Sequence, residues 1–166
     1  MLERGNTADP RALAALLGRP PRGVERFIDS EHADAIHARA VLAWQLPLLR
    51  VAIAAVWIWT GIVSMGLYPV GESYALLARL HIEGPLATAM LYGAALVDLA
   101  LGIGTLVVRD RRWIWRAQIA VMLGYTALIS VWLPEFWLHP YGPLTKNLPL
   151  LAATWLVATL ERRPEP

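Results

Sequence analysis

Four apolar stretches, each about as long as a bilayer is thick, constrain this chain more than any other feature. They lie near residues 46–68, 85–108, 113–133 and 144–160. A hydrocarbon core of about 30 Å needs roughly 20 apolar residues in helical form. Inside lipid every backbone N–H must find its acceptor within its own segment, so such stretches are helices. The run from Pro85 to Val108 carries a single charge, Asp98. The expected fold class is all-α: an integral membrane four-helix bundle over residues 46–162, with a short interfacial helix and a cytosolic N-terminal helical arm over 1–45.

Composition supports this reading by its distribution. Charged residues make up 17% of the 166, below the roughly 25% of soluble domains, and they gather between the apolar blocks. A net charge of +2 could suit nucleic acid, but the arginines flank apolar blocks, as they do where they set membrane orientation. Membrane lipid is the expected partner and nucleic acid is not. With no cysteine, the chain can form no disulfide, thiolate metal site or thiol relay. No early apolar run follows the N-terminal basic residues, so no signal peptide is expected and the first span should itself direct insertion.

Arginine counting gives an orientation. Arg39, Arg50, Arg109, Arg111, Arg112, Arg116, Arg162 and Arg163 fall on one side, against Arg79 and Lys146 on the other, eight to two. The expectation is a multi-pass protein of a bacterial-type inner (cytoplasmic) membrane. Both termini would be cytoplasmic, and the 69–84 and 134–147 loops outside.

Asp9-Pro10 predicts the N-cap and first turn of a short helix ending at Gly18. Arg19-Pro20-Pro21-Arg22-Gly23 breaks it. A helix from about Glu31 to Trp44 carries Ala33, Ile36, Ala40, Val41 and Trp44 on one stripe. It suits a surface helix and, equally, an extension of the first span. Gly71 to Gly84 predicts a short interfacial helix, with Glu72 at its start and Arg79 and His81 at its end, as the helix dipole favours. Gly84 is the expected stop and Pro85 the next start. Trp113 and Trp115 are expected at the inner boundary, and Trp132 and Trp137 at the outer.

Asp98 is the candidate for chemistry, as acid, base or ligand. A carboxylate at mid-span costs at least a few kcal/mol unless neutral or paired. Ala94 and Gly102 share its face and would admit a neighbouring helix. Thr60, Tyr125 and Thr154 fall at similar depth and could offer it hydroxyls. A purely structural reading makes Asp98 hydrogen-bonded glue between helices. A second group, Glu72, Glu135, His139, Lys146 and Asn147, lies on the outer loops. Glu72 or Glu135 is expected to pair with Lys146. Glu135-x-x-x-His139 and His81-x-Glu83 are metal-compatible pairs, but the spacing is unspecific and no metal is expected. The aromatic, proline-rich loop Pro134 to Pro143 suits a lid or an interfacial anchor. No nucleotide loop, serine nucleophile arrangement or bis-histidine haem site is present, so no cofactor is bound by a recognisable motif, although quinone or lipid would suit such a bundle.

These residues resemble a family. Trp59-Thr60-Gly61, Tyr68-Pro69 with Glu72-Ser73, and Ala94-x-x-x-Asp98-x-x-Leu101-Gly102 look like the DoxX-like membrane proteins. So do Gln118 with Leu123-Gly124-Tyr125-Thr126, and Pro134-Glu135-Phe136-Trp137-Leu138-His139-Pro140-Tyr141-Gly142-Pro143-Leu144-x-Lys146-Asn147. The likeness is to the branch often fused to NAD(P)-binding short-chain-dehydrogenase-type domains, and it covers about residues 46–162. It implies a four-helix membrane bundle associated with quinone- or thiol-linked oxidoreductase complexes, but supplies no agreed catalytic set. No nucleotide-binding domain accompanies the bundle here, so a redox partner would be a separate chain, with the 1–45 arm as its candidate docking element. The expected function is an accessory subunit of a membrane oxidoreductase assembly, not an enzyme on its own. The alternatives are a small membrane enzyme or lipophile binder using Asp98, and a purely structural subunit of a larger complex.

The cysteine-free background makes orientation directly testable. Single cysteines at Arg111 and Tyr141 should react with an impermeant maleimide from opposite sides, Tyr141 in intact cells and Arg111 only after lysis. Labelling of both from one side would refute the four-crossing topology.

Overall fold

A computed structural model describes residues 9–21, 30–140 and 142–161. Arg22, Gly23, Tyr141, Arg162 and Arg163, which figured in the expectations above, lie outside the described residues. Among the described residues the regular structure is helical throughout. The chain forms two compact units, Met1–Ala43 and Trp44–Pro166.

In the first unit, α1 spans Pro10–Leu17. Asp9 caps it by accepting the Arg11 N–H at 3.1 Å, and Gly18 ends it at φ 64°. Left-handed φ is cheap for glycine and strained for other residues, which is why the helix stops there. Leu13, Leu16 and Leu17 are exposed. Helix α2 then runs as one element over Ser30–Ile62.

In the second unit, α2 ends in a π turn, Val63–Leu67, closed by the Tyr68 N–H on the Val63 carbonyl at 3.1 Å. Gly66 sits there at φ 140°, a conformation that only glycine adopts readily. Helix α3, Val70–Arg79, is the expected short helix, with Glu72 in its first turn and Arg79 in its last. It ends earlier than Gly84. His81 takes the left-handed position at φ 60°, and its N–H and that of Ile82 bond the Ala78 and Leu77 carbonyls at 2.9 and 3.0 Å. This double bond pattern satisfies the last carbonyls of the helix without glycine. Helix α4 is Gly84–Val107 and α5 is Arg112–Trp132, each within a residue or so of its expected limits.

Helix α6, Asn147–Leu160, starts later than the expected residue 144. Pro149 has no N–H to give to the carbonyl four residues back. The chain from Pro143 to Lys146 forms turns instead, with the Leu148 N–H reaching the Thr145 carbonyl at 3.2 Å. Helices α2 (with its π turn), α4 and α5 are long and apolar enough to cross a membrane, whereas α6 has 14 residues, about 21 Å.

The core of the bundle draws on all four helices: Ile53 and Trp57 from α2, Leu101 from α4, Ile114, Trp115 and Met122 from α5, and Val157 from α6. Trp113 is exposed, as an interfacial residue would be, but Trp115 is turned inward and buried, a correction to its expected boundary role. Large apolar side chains cover the outside, among them Trp59 at 64% exposure and Trp155 at 60%. A water-facing surface rarely carries so continuous an apolar coat, while a lipid-facing one must.

Two glycines let α2 and α4 touch. A Cβ on Gly102 would stand 2.6 Å from Ile58 Cγ1 and 2.9 Å from the Ile58 nitrogen. One on Gly61 would stand 2.8 Å from the Ala95 carbonyl oxygen. Small residues let backbones approach closely, and the packing this allows is one of the forces that associate helices in lipid. Gly102→Ala and Gly61→Ala should each cost about 1–3 kcal/mol through forced separation. Gly93→Ala, with nothing within 4 Å of the added carbon, should be neutral. Thermal unfolding in a fixed detergent checks this, and equal melting shifts for all three would contradict the close contact.

Candidate functional site

The residues that could carry chemistry divide between the middle of the bundle and its two ends. Asp98, on α4, is buried at 5% exposure despite its place in an apolar helix. Gln118 on α5 is fully buried. Its Nε2 donates to Thr105 Oγ1 at 2.7 Å and lies 3.4 Å from the Leu101 carbonyl. Thr105 Oγ1 in turn donates to that same Leu101 carbonyl at 2.7 Å. Trp57 on α2 is buried in the core beside these elements.

Among the described residues, three buried side-chain polar atoms have no hydrogen-bond partner: Trp57 Nε1, Asp98 Oδ1 and Gln118 Oε1. They come from three different helices, α2, α4 and α5. A buried polar group without a partner typically costs about 1–3 kcal/mol. Native interiors carry few such groups, and each asks for a reason.

The expected hydroxyl contacts to Asp98 are not made. Thr60 is exposed and donates to its own helix at the Val56 carbonyl, 2.8 Å away. Thr154 is buried but does the same at the Leu150 carbonyl, 2.8 Å. In a helix within lipid, a threonine hydroxyl has this acceptor always at hand. Tyr125 lies within electrostatic reach of Asp98 while remaining 39% exposed. Sequence reasoning passed over Gln118 and Trp57 as site residues. Gln118 lies close to the arginines and tryptophans at the start of α5, where one more polar residue attracts no notice. Its signal was its phase: it falls three and four residues from the buried Trp115 and Met122, on the inward face.

The 69–84 and 134–147 segments meet, but through a different pair from the one expected. Glu135, in the 3₁₀ turn Pro134–Trp137, binds Arg79 at the end of α3, not Lys146. The reason is reach: the end of α3 brings the Arg79 guanidinium over the turn, while Lys146 is exposed and lies in the turns before α6. Glu72 is exposed at the other end of α3. Asn147 Nδ2 donates to Thr126 Oγ1 on α5 at 3.0 Å, and Trp137 Nε1 to Ser130 Oγ at 2.9 Å. Tyr74 and Thr88 join α3 to α4 through their hydroxyls at 3.0 Å. His139 stacks on Phe136 with ring centroids 5.9 Å apart. No group of three metal-capable side chains occurs among the described residues.

At the opposite end, Glu161 just beyond α6 ties three helices together. Its carboxylate accepts from Arg50 Nε on α2 at 2.8 Å, pairs with the same guanidinium again, and accepts from Trp115 Nε1 on α5 at 3.1 Å. Arg111 Nε donates to the Thr105 carbonyl at 2.7 Å and so covers a free carbonyl in the last turn of α4.

Compared with known protein families, residues 54–155 match the DoxX-like family. No curated protein sequence and no solved structure matches the chain.

The Arg79 guanidinium holds the Glu135 carboxyl below the usual carboxylate range. A depressed folded-state value gives stability that is present above the unfolded value and lost as pH falls through the folded one. The contact between α3 and the 3₁₀ turn should therefore loosen as Glu135 protonates in acid, with only a small change in global melting because the pair is exposed. Arg79→Gln should raise the Glu135 titration toward an ordinary glutamate, measured by carboxyl-carbon NMR. An unchanged titration would show that the pair does not form in solution.

Proposed function

Since the chain belongs to the DoxX-like family, we propose that it is an accessory component of a membrane oxidoreductase assembly that holds a small lipophilic molecule against Asp98. The observation carrying the second half is the set of three unpartnered polar atoms on Trp57, Asp98 and Gln118. They lie in a bundle whose other buried hydroxyls, Thr105 and Thr154, have partners. Unmet groups on three helices of one small bundle are costly for a purely structural core and useful where a guest is received. A guest arriving through lipid needs an apolar body and a few polar atoms, which is the usual make-up of small-molecule sites.

The redox half rests on the resemblance. In this reading the chain is a binder rather than a catalyst by itself. Asp98 is its candidate acid or base. The eight-to-two arginine bias supports a bacterial-type cytoplasmic membrane with both termini inside. Under that orientation the Arg79–Glu135 cap faces outward and the Arg50–Glu161–Trp115 cluster faces the cytoplasm.

The test is retention of endogenous small molecules after purification in mild detergent, read by mass spectrometry of a solvent extract, together with the proteins that co-purify. The wild type should carry a lipophile in near-stoichiometric amount. Asp98→Asn should fold almost normally and lose most of it, since the amide keeps shape but not charge state. Asp98→Leu should lose the lipophile while gaining or keeping thermal stability, because it replaces an unpartnered polar group by an apolar one. An extract unchanged in both variants would refute the binding role and leave a structural subunit.

A further inference from the structure

We infer that the outward face of the first turns of α5, formed by Arg112, Trp113 and Arg116 with Arg109 in the link before them, binds the head group of an anionic phospholipid. This surface is separate from the Asp98 region and does not depend on what that region holds.

The arginines at this end of the bundle are used in two ways. Arg50 pairs with Glu161, and Arg111 Nε donates to the Thr105 carbonyl at 2.7 Å, so both are spent on the bundle itself. Arg109, Arg112 and Arg116 are exposed. Among the described residues, none of these three side chains has an ion-pair or hydrogen-bond partner. Asp110 beside them accepts the Arg112 backbone N–H at 3.3 Å and makes no ion pair with any of the three. The segment therefore exposes three free guanidinium groups beside one carboxylate.

Charge calls for an anion, and placement makes that anion a lipid. Helices α4 and α5 are both long and apolar enough to cross a membrane, so the link between them lies at a membrane face. Arg112 and Arg116 are one turn apart on α5, which sets their Cβ atoms about 5–6 Å from each other. Trp113 lies three residues before Arg116 and is 59% exposed, and indoles favour the head-group level. The inward face of α5 carries Ile114, Trp115, Gln118 and Met122. On the side away from them, below the arginines, Ala120, Leu123 and Ala127 are exposed. Two planar guanidinium groups match the oxygens of a phosphate, and the apolar strip beneath them matches an acyl chain. Cation above and hydrocarbon below fit an amphiphile rather than a water-borne acid. Membrane orientation asks only for positive charge, which Arg50 and Arg111 supply as well. A head group asks for guanidinium groups that are still free.

The experiment titrates the full chain, delipidated in a neutral detergent, with phosphatidylglycerol or phosphatidylcholine of the same acyl chains, and counts bound lipid by native mass spectrometry. The first phosphatidylglycerol should bind about tenfold or more tighter than phosphatidylcholine, since each arginine near an anionic lipid is worth about fivefold. Arg112→Gln and Arg116→Gln should each cut that preference about fivefold, and the double variant should bring the two lipids close to equal. Arg111→Gln should lower the melting temperature and keep the preference, because its guanidinium serves the Thr105 carbonyl. Lys146→Gln, an exposed cation in the turns before α6, should keep both. Equal binding of the two lipids by the wild type would overturn the inference, whatever the variants do. A preference that survives the double variant would also overturn it, as would one that falls equally in Lys146→Gln, where net charge alone would be the cause. Loss of a co-purifying acidic protein from the double variant, with lipid preference unchanged, would overturn the lipid assignment and give the patch to that protein.

Discussion

The fold rests on the fact that no water reaches a helix inside a bilayer, so every polar group there must be satisfied by the chain itself. The side chains of this protein follow that constraint closely. The hydroxyls of Thr60, Thr105, Ser130, Thr154 and Thr159 all donate to carbonyls three or four residues back in their own helices. Charge is moved to the ends, where Arg50 and Glu161 pair on one side and Arg79 and Glu135 on the other. Apolar burial between helices contributes little when the surroundings are themselves apolar, so close backbone contact at Gly61 and Gly102 matters more. Against this background of near-complete satisfaction, the unmet atoms of Trp57, Asp98 and Gln118 stand out.

The two ends of the bundle are held in different ways. The Glu161 carboxylate takes donors from Arg50 and Trp115 and is mostly shielded, so α2, α5 and α6 are fixed together there. The opposite end is closed by an exposed ion pair and neutral hydroxyl and amide contacts. Exposed pairs add little and a shielded, multiply bonded carboxylate adds more. The Arg79–Glu135 end is thus the weaker closure.

Much of this architecture was legible in the sequence because membrane helices are long and their signals are strong. Asp9-Pro10 and Gly18 set the limits of α1, and Gly84-Pro85 the start of α4. The misplacements have local causes. The end of α3 was read at Gly84 because glycine is the usual left-handed residue, yet His81 adopts that conformation. The start of α6 was read too early because hydropathy continues through Leu144, while the missing N–H of Pro149 delays regular helix. Trp115 was read as an interfacial anchor from its residue type, but its phase on α5 turns it to the core and its N–H to Glu161.

The candidate site was legible only in part, and the reason is direction. Composition shows that a carboxylate is buried and periodicity gives its face, so Asp98 could be found. Which hydroxyls reach it depends on side-chain choices that depth alone does not determine, and Thr60 and Thr154 take the nearest backbone carbonyl instead. The informative residue is Gln118, whose amide is oriented by a threonine already committed to Leu101. A glutamine in an apolar run predicts a hydrogen bond but not which end of the amide stays free. That free end and the indole N–H of Trp57 are a buried acceptor and a buried donor left without partners beside a core that otherwise satisfies its hydroxyls.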